Sequence, residues 1–454
     1  MAFNLPVNNG SGVAIVDVPG GTLATNENFT TLYDYATQNS PELVKELYYT
    51  NGKGKLTGFL GAVGQKKTYA SDTVQHMEIG RLHNKLRAVT FVGNVFTSPT
   101  AHNLRVGMVI EIADALGVKK QATVSVVTST TVFTALNNAT GAYGLTSPVN
   151  IVADFSNAFK PGSDPFDKGR TWNPSARINY THILGETYEA SNSKMTQKTW
   201  LQSANGSVKW ANEEIERTNT LFDNLHENTH IFFTRLTDAS AAASAGFAQG
   251  MKGIVQQIEQ YGNVVNDYIT TKADLDVLTY RMKQQNTGCR EYTMHANHAQ
   301  LVLLQTICAT QNASFVNGTH WGSFSNDKEM ALKLDFKSIY LNGITIHFSS
   351  LDILDDPTMY GDTNYAGSGI NYILIPSGKT DVMRDGNTVS TPYISIYHRK
   401  LEGEDRERKV QIFGIAGTPQ KGDKTTVNFW SETTNEIAGA NAFFVGNKGA
   451  AHYS

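Results

Sequence analysis

The chain has 454 residues, of which 40% are hydrophobic and 17% are charged. This length is enough for about three domains with real hydrophobic cores. The formal net charge of −3 excludes a strongly basic nucleic-acid-binding protein, so any contact with DNA should be non-specific. Two cysteines, Cys289 and Cys308, are too few for a disulfide framework, and we expect free thiols. Because the N-terminus lacks a basic segment before an apolar run, and no apolar stretch is long enough for a bilayer, we expect no signal peptide, no membrane partner and synthesis in a cytoplasm.

The N-terminal third begins with segments that cannot form a core alone. Residues 1–27 are rich in glycine and show no sustained hydrophobic period, which predicts a flexible arm. Residues 28–63 are predicted to contain a short helix. Residues 64–86 and 173–200 are mostly polar on both faces and predict the two strands of an extended hairpin. A hairpin with so little apolar area is not stable by itself, so we expect it to lie on another subunit.

Residues 87–172, between the two hairpin segments, predict an inserted β-domain followed by an exposed loop. Short runs such as MVIEIA and QATVSVVTSTTVFTAL are separated by turn-forming residues. Their spacing is typical of a small barrel or sandwich.

A long helix is predicted over residues 209–236. Its apolar and small residues recur at alternating steps of four and three, which indicates a narrow seam on an otherwise polar helix. The seam consists of Ala211, Ile215, Thr218, Phe222, Leu225, Thr229, Phe232 and Leu236. Such a helix is expected to act as a spine that braces a plate-like subunit. Beyond it, residues 244–380 alternate helical and strand patterns, as in a mixed α/β domain, and the final strands lie within residues 381–454.

The same helix carries the sequence HENTH, in which His226, Glu227 and His230 match the H-E-x-x-H pattern of zinc hydrolases. The predicted seam places these three side chains on the flank and back of the helix. Asn228 follows Glu227, where zinc proteases usually have a bulky apolar residue. We therefore expect a solvated helix face, and we keep a zinc-dependent metallohydrolase as the alternative function, to be tested by bound zinc and by Glu227→Gln.

Three other motifs resemble functional sites only in part. Residues 377–380 (SGKT) imitate the end of a phosphate-binding loop but lack its first glycine, so a hairpin turn is expected. His295 and His298 have no acid or cysteine at a useful spacing, which favours structural roles. Calcium could bind to an acidic loop, although its spacing does not match an EF-hand and simple turn chemistry is favoured; the loop contains Asp352, Asp355, Asp356 and Asp362. We expect no cofactor and no enzymatic activity.

The order of these parts resembles the major capsid proteins of tailed bacteriophages, which have the α+β Hong Kong-type fold. The sequences that carry the resemblance are THILGETYEAS, GFAQGMKGIVQQIEQYGN, EYTMHANHAQLVLLQ and NGITIHFSSLDILDD. The crAss-like phages are the most similar group. In the family's terms, residues 1–27 are the N-arm, and residues 64–86 and 173–200 are the E-loop. Residues 201–243 and 381–454 are the P-domain with its spine helix, and residues 244–380 are the A-domain.

The resemblance implies hexamers and pentamers that tile an icosahedral shell around double-stranded DNA, assembled in the bacterial cytoplasm. It also implies a separate scaffolding protein, a portal and decoration proteins as partners. On the E-loop we expect contacts between subunits at Met77, Ile79, Ile178 and Tyr180, and on the arm at Phe3 and Leu5. A β-rich adhesin, a surface-layer protein and another phage structural protein, such as a tail-tube subunit, remain alternatives.

Overall fold

The structure, a computed structural model, describes residues 65–158, 174–192, 210–285, 287–316, 338–356, 359–360, 369–384, 387–414 and 422–447. The predicted arm and N-terminal helix region, with Phe3 and Leu5, lie outside the described residues. The chain divides into two compact units: residues 77–177 form one, and the residues before and after them form the other.

The described strands are numbered here in chain order. The first ten are β1 (Gln65–Tyr69), β2 (Thr73–Glu78), β3 (Lys85–Val92), β4 (Val95–Thr97), β5 (Met108–Ala113), β6 (Lys119–Val127), β7 (Val132–Asn137), β8 (Val149–Asn157), β9 (Ser175–Tyr180) and β10 (His182–Ser191). The others are β11 (Asn263–Val265), β12 (Glu291–Ala296), β13 (Ser338–Leu341), β14 (Ile344–Ser350), β15 (Ile370–Pro376), β16 (Lys379–Arg384), β17 (Asn387–Pro392), β18 (Ile394–Leu401), β19 (Glu404–Asp405), β20 (Lys409–Phe413), β21 (Lys424–Ile437) and β22 (Phe444–Asn447).

Five α-helices are described between the strands. They are α1 (Trp210–Phe232), α2 (Ala241–Ser244), α3 (Ile254–Tyr261), α4 (Lys272–Gln285) and α5 (His298–Val316), and short 3-10 turns occur at Asp352–Leu354 and Ala440–Ala442. No helix in the described part of the chain is long and apolar enough to cross a membrane.

The unit formed by residues 77–177 contains a closed barrel with the strand order β3-β4-β7-β6-β5-β8. Inward-facing residues alternate with outward-facing ones along most of these strands, so the barrel has its own core. Phe96 and Phe133 are directly opposite each other on β4 and β7, and their rings stack with centroids 5.3 Å apart. Tyr143 closes this core and donates its hydroxyl proton to the carbonyl oxygen of Ala135 at 2.6 Å. The sequence left a barrel and a sandwich open, and the strands form a barrel.

The other unit contains two six-stranded sheets. The first has the order β10-β21-β18-β1, with β20 also paired to β21 and β19 to β18. The spine helix α1 packs on this sheet, where Phe222 contacts Val427 and Phe429. The second sheet has the order β11-β22-β15-β12-β14-β13, and helices α4 and α5 pack their apolar residues against it.

The helix predicted over residues 209–236 runs from Trp210 to Phe232. Phe222 and Phe232 of the predicted seam are buried. At the C-terminal end of the helix, however, His230 and Ile231 are also completely buried. The contact surface is therefore wider than the predicted narrow seam, because this end of the helix is enclosed by neighbouring elements of the same unit.

The paired part of the predicted hairpin is shorter than the segments 64–86 and 173–200. Among the described strands of these segments, only β2 and β9 pair with each other, in a sheet of two strands. Strand β1 instead pairs in parallel with β18, and β10 pairs along its whole length with β21. The physical reason is visible on β10, where Leu184 and Tyr188 pack against the core beneath α1.

Candidate functional site

The hairpin exposes large apolar side chains near the end of β2. Met77 is 59% exposed, Ile79 is 71% exposed and Leu82 is 62% exposed. Ile178 on β9 is also exposed. Leu82 is not among the contact residues predicted from the sequence, although it follows two of them, Met77 and Ile79, in the same apolar series. Exposed apolar groups this close in sequence are typical of a surface that another molecule covers.

Strand β9 is fixed at its root by the side chain of Asn179, which is buried. Its amide nitrogen donates to the Asn435 carbonyl at 2.7 Å, the Asn435 Oδ1 at 2.8 Å and the Lys252 carbonyl at 3.0 Å. Its Oδ1 accepts the Lys252 backbone N–H at 2.8 Å. Asn435 is completely buried and also accepts a bond from Gln257 at 2.5 Å. Because both amides are almost fully satisfied, the network holds β9 against β21 and the start of α3.

Tyr180, which follows Asn179, contacts its own chain. The Arg235 guanidinium lies 3.5 Å from the centre of its ring, a stacked cation–π contact. Arg235 is itself held by the carbonyl oxygen of Gly250 at 2.8 Å. The predicted role of Tyr180 in contacts between subunits remains a prediction, and in this structure its ring stabilises the hairpin root.

A charged cluster lies in the first sheet. The buried Glu432 carboxylate contacts Arg399 at 2.7 Å and Arg406 at 3.0 Å. Arg399 also contacts Asp72, in the turn between β1 and β2, at 2.7 Å. Hydrogen bonding to Glu432 raises the pKa of Arg399 above its ordinary value. The cluster ties the start of the hairpin to the sheet, because a buried carboxylate requires its cationic partners.

The histidines of HENTH do not lie on a solvated helix face, so that prediction is wrong. His230 is 0% exposed, and its Nε2 lies 3.0 Å from the hydroxyl of Thr433 on β21. His226 is half-buried, and its Nε2 lies 3.4 Å from the same hydroxyl. The centroids of the two imidazole rings are 4.6 Å apart. A histidine can be buried here because Thr433, which is distant in sequence, supplies a hydrogen-bond partner.

Burial favours the neutral form of both histidines. Desolvation lowers the pKa of His226 to about 4. Desolvation, together with the neighbouring His226 and His182, lowers the pKa of His230 well below its ordinary value. These are the shifts expected of imidazoles removed from water, and the pair forms part of the packing between α1 and the sheet.

The geometry does not favour the zinc-hydrolase alternative at HENTH. In the described part of the chain, a different group brings three possible ligands close together: His398, Asp405 and Glu407. In that group, Lys400 contacts Asp405 at 3.2 Å and Lys66 contacts Glu407. Because ammonium groups already neutralise both carboxylates, the group is an ion-pair network on the first sheet.

The residues of the remaining motifs have structural roles. Lys379 and Thr380 of SGKT begin β16, which pairs with β17, whereas a phosphate-binding loop would lead into a helix. His295 is buried in β12, and desolvation lowers its pKa to about 4. Asp355 accepts the backbone N–H of His298 at 2.9 Å, so this carboxylate caps helix α5. Burial nevertheless raises the pKa of Asp355.

Comparison with known proteins gives matches only among solved structures. No protein-family model matches the chain, and no curated protein matches it. The capsid structure of cyanophage P-SCSP1u is 9% identical, with a TM-score of 0.41, and the match covers 90% of this chain and 92% of that one.

Two other similar structures have comparable values. The structure titled Microbacterium phage Oxtober96 is 9% identical, with a TM-score of 0.39, covering 91% of this chain and 98% of that one. The SrpI encapsulin complex of Synechococcus elongatus is 9% identical, with a TM-score of 0.36, covering 93% of this chain and 96% of that one.

Proposed function

We propose that this chain is a major capsid protein of a tailed bacteriophage, which assembles as hexamers and pentamers into an icosahedral shell around double-stranded DNA. The observation that carries the proposal is the contrast along the hairpin. Its root is fixed by the buried Asn179 network, whereas Met77, Ile79 and Leu82 expose their apolar side chains. A two-stranded sheet with exposed apolar residues requires a further surface to be stable, and a neighbouring subunit supplies it.

The spine helix and the first sheet support the same proposal. Helix α1 contains 23 residues and packs on the sheet through apolar side chains that include Phe222. A long helix packed on a sheet can act as a rigid brace for a subunit that must present its hairpin in a fixed position. The sequence resemblance to capsid proteins, most of all to those of crAss-like phages, adds the N-arm, the E-loop and the A-domain to this proposal.

The proposed partners follow from the same function. They are other copies of the chain, a separate scaffolding protein, a portal and decoration proteins, with non-specific contact to packaged DNA. The proposed location is the virion capsid, after assembly in the cytoplasm of the bacterial host. A net charge of −3 fits a shell that encloses DNA without a dedicated DNA-binding surface.

The test is assembly of the full chain, expressed alone and with a scaffolding protein from the same genome, observed by negative-stain electron microscopy. We expect closed shells, or free hexamers and pentamers, from the unchanged chain. The double variant Met77→Asp with Ile79→Asp should stay folded, as judged by circular dichroism, and should not form shells. Leu401→Asp is the matched control, since Leu401 is similarly exposed, at 70%, but is not in the hairpin.

Two results would contradict the proposal at different levels. Uniform monomers of the unchanged chain under both conditions would overturn the capsid function. Normal shells from the double variant would leave the capsid function standing and would show that the hairpin residues are not the contacts between subunits.

A further inference from the structure

One outer surface of the barrel consists of side chains without charge. Where strands β3, β4, β7 and β6 adjoin one another, most outward-facing residues are valine, threonine or leucine. We call this surface the Val/Thr face, and it is formed by Thr90, Val92, Val95, Thr97, Thr123, Val126, Val132, Thr134 and Leu136.

The strand register places these residues side by side. Val92 is opposite Val95, Val95 is opposite Thr134, and Thr134 is opposite Val126. These residues therefore form one row across four strands. Thr90, Thr97 and Val132 form a second row beside it, since each is opposite the next in the same register. Leu136, opposite Thr123, extends the face on the other side.

The apolar members of the Val/Thr face are open to solvent. Val92 is 84% exposed, Val126 is 52% exposed and Leu136 is 51% exposed. Their inward neighbours Phe96, Phe133 and Ala135 fill the barrel core, so the face is the outer side of strands whose inner side is already packed. The core of the barrel does not need this surface, and exposed β-branched residues without charges are an association hazard unless a partner covers them.

The closed barrel limits how a partner can bind. Each of its strands is hydrogen-bonded on both sides in the strand order, so another chain cannot add a strand there. The face can instead pack against a second β-surface, in the way that two sheets of a sandwich interdigitate about 10 Å apart.

The charges on the barrel indicate which β-surface fits. The barrel's charged residues lie outside the face: Lys85 and Arg87 are at the start of β3, Glu111 is on β5, and Lys119 and Lys120 are at the start of β6. Glu111 and Lys119 pair with each other at 3.1 Å. A partner with a charged surface would bury its charges against valine and threonine, which is unfavourable. A second copy of the Val/Thr face brings no charge into the contact and matches the first in size and chemistry.

The size of the face sets the strength of the contact. It contains nine residues, whereas a stable interface uses about 20–30 residues on each side. The contact alone is therefore too small for a stable dimer. It becomes effective when other contacts already hold copies of the chain near one another, because the effective concentration is then high.

We infer that the Val/Thr faces of two copies of this chain pack against each other, as an isologous contact between neighbouring subunits. The inference rests on the proposed function for its setting, a shell in which the hairpin contacts hold the copies close. It adds a second, separate contact surface to the hairpin. A two-fold arrangement follows, since the same residues occur on both sides of the contact.

The test is chemical crosslinking of the full-length chain carrying Val126→Cys, with a short bis-maleimide reagent. The native thiols are half-buried at Cys289 and buried at Cys308, so each sample also includes the unchanged chain as background. Leu116→Cys is the matched control, because Leu116 is 81% exposed on the same barrel but lies outside the face. The crosslinked residues are identified by mass spectrometry, both in concentrated soluble protein and in assembled particles.

We expect covalent dimers joined from position 126 to position 126, at a yield about tenfold above Leu116→Cys, as for a contact favoured by about 1.4 kcal/mol. Val126→Lys should reduce the assembly of particles, whereas Leu116→Lys should not. Crosslinks from position 126 to other parts of a second copy would overturn the face-to-face contact. Absence of position-126 dimers in both samples would also overturn it, in favour of a face that a different protein covers.

These results are separable from the proposed function. If the unchanged chain forms shells but position 126 gives no dimers, the capsid function stands and the Val/Thr contact is wrong. If the chain forms no shells, the capsid function fails, and the crosslinking of the concentrated soluble chain still decides whether the two faces meet.

Discussion

Replacing Asn179 by alanine should destabilise the unit that holds the hairpin root. The substitution removes the acceptor of the Lys252 backbone N–H and the donor to the Asn435 carbonyl, both within 2.8 Å. Asn435 keeps its bond from Gln257, so its Oδ1 is not left without a partner. Each buried group without a partner costs about 1–3 kcal/mol, which gives an expected loss of about 3 kcal/mol for the two together.

Urea unfolding followed by tryptophan fluorescence measures this loss. The barrel strands contain no tryptophan, whereas Trp430 lies on β21, the strand that contains Asn435, so its fluorescence reports on the first sheet. Asn266→Ala is the matched control, since Asn266 is exposed and should change the free energy of unfolding by less than about 0.5 kcal/mol.

A second measurement shows whether the loss is located at the hairpin. Trypsin should cleave after Arg177 faster in Asn179→Ala than in the unchanged chain, because β9 is less tightly held and Arg177 can leave its bond to Glu78. A destabilisation no larger than that of Asn266→Ala would refute the reasoning. Unchanged cleavage after Arg177 would show that the network stabilises the sheet but not the hairpin root.

The other predictions test buried charge, buried histidine and close packing. Glu432→Gln should lower the free energy of unfolding by about 2 kcal/mol, because Arg399 and Arg406 lose a buried partner but stay partly solvated, while the exposed Glu404→Gln should change little. Stability should fall as the pH decreases from about 6.5 towards 4, because the lowered pKa of His226 makes the unfolded chain bind the proton first. His226 contributes about 3 kcal/mol to this loss, and His226→Gln should reduce the loss by that amount in urea titrations at several pH values. Gly446→Ala should cost about 1–3 kcal/mol by calorimetry, since a Cβ there would overlap the ring of Tyr372, whereas Gly185→Ala has room beside Trp430 and should cost less.

Periodicity was enough to predict the long helix and the β-rich insert. The helix from Trp210 to Phe232 differs from its prediction by one residue at the start and four at the end. The insert forms strands from Lys85 to Asn157, because apolar residues that alternate with outward-facing ones fill a core on one side only. Both patterns are local in sequence, and local patterns can be recognised without knowing what the segment packs against.

The environment of the histidines and the root of the hairpin were not predictable in this way. The sequence predicts a polar face for His230 because this residue lies off the predicted seam, whose positions in this stretch are Leu225 and Thr229. Its burial depends on Thr433, which is 203 residues away. Asn179 is not among the predicted site residues, although it lies between Ile178 and Tyr180, which are. Its partner Asn435 is 256 residues away. A polar residue at an inward position of a strand indicates a structural role only when its hydrogen-bond partner is known.

The rigid root and the exposed end of the hairpin have a joint consequence for the proposed assembly. A flexible hairpin would lose conformational entropy when it docks on a neighbour, and that loss would weaken the contact. The Asn179 network and the Arg235–Tyr180 stack fix the root before docking, so part of this entropy is already lost on folding. In the proposed shell, small contacts at the hairpin and at the Val/Thr face would then suffice, because symmetry would repeat each of them in every subunit. Loosening the root should therefore weaken assembly even when every residue in the contacts is unchanged.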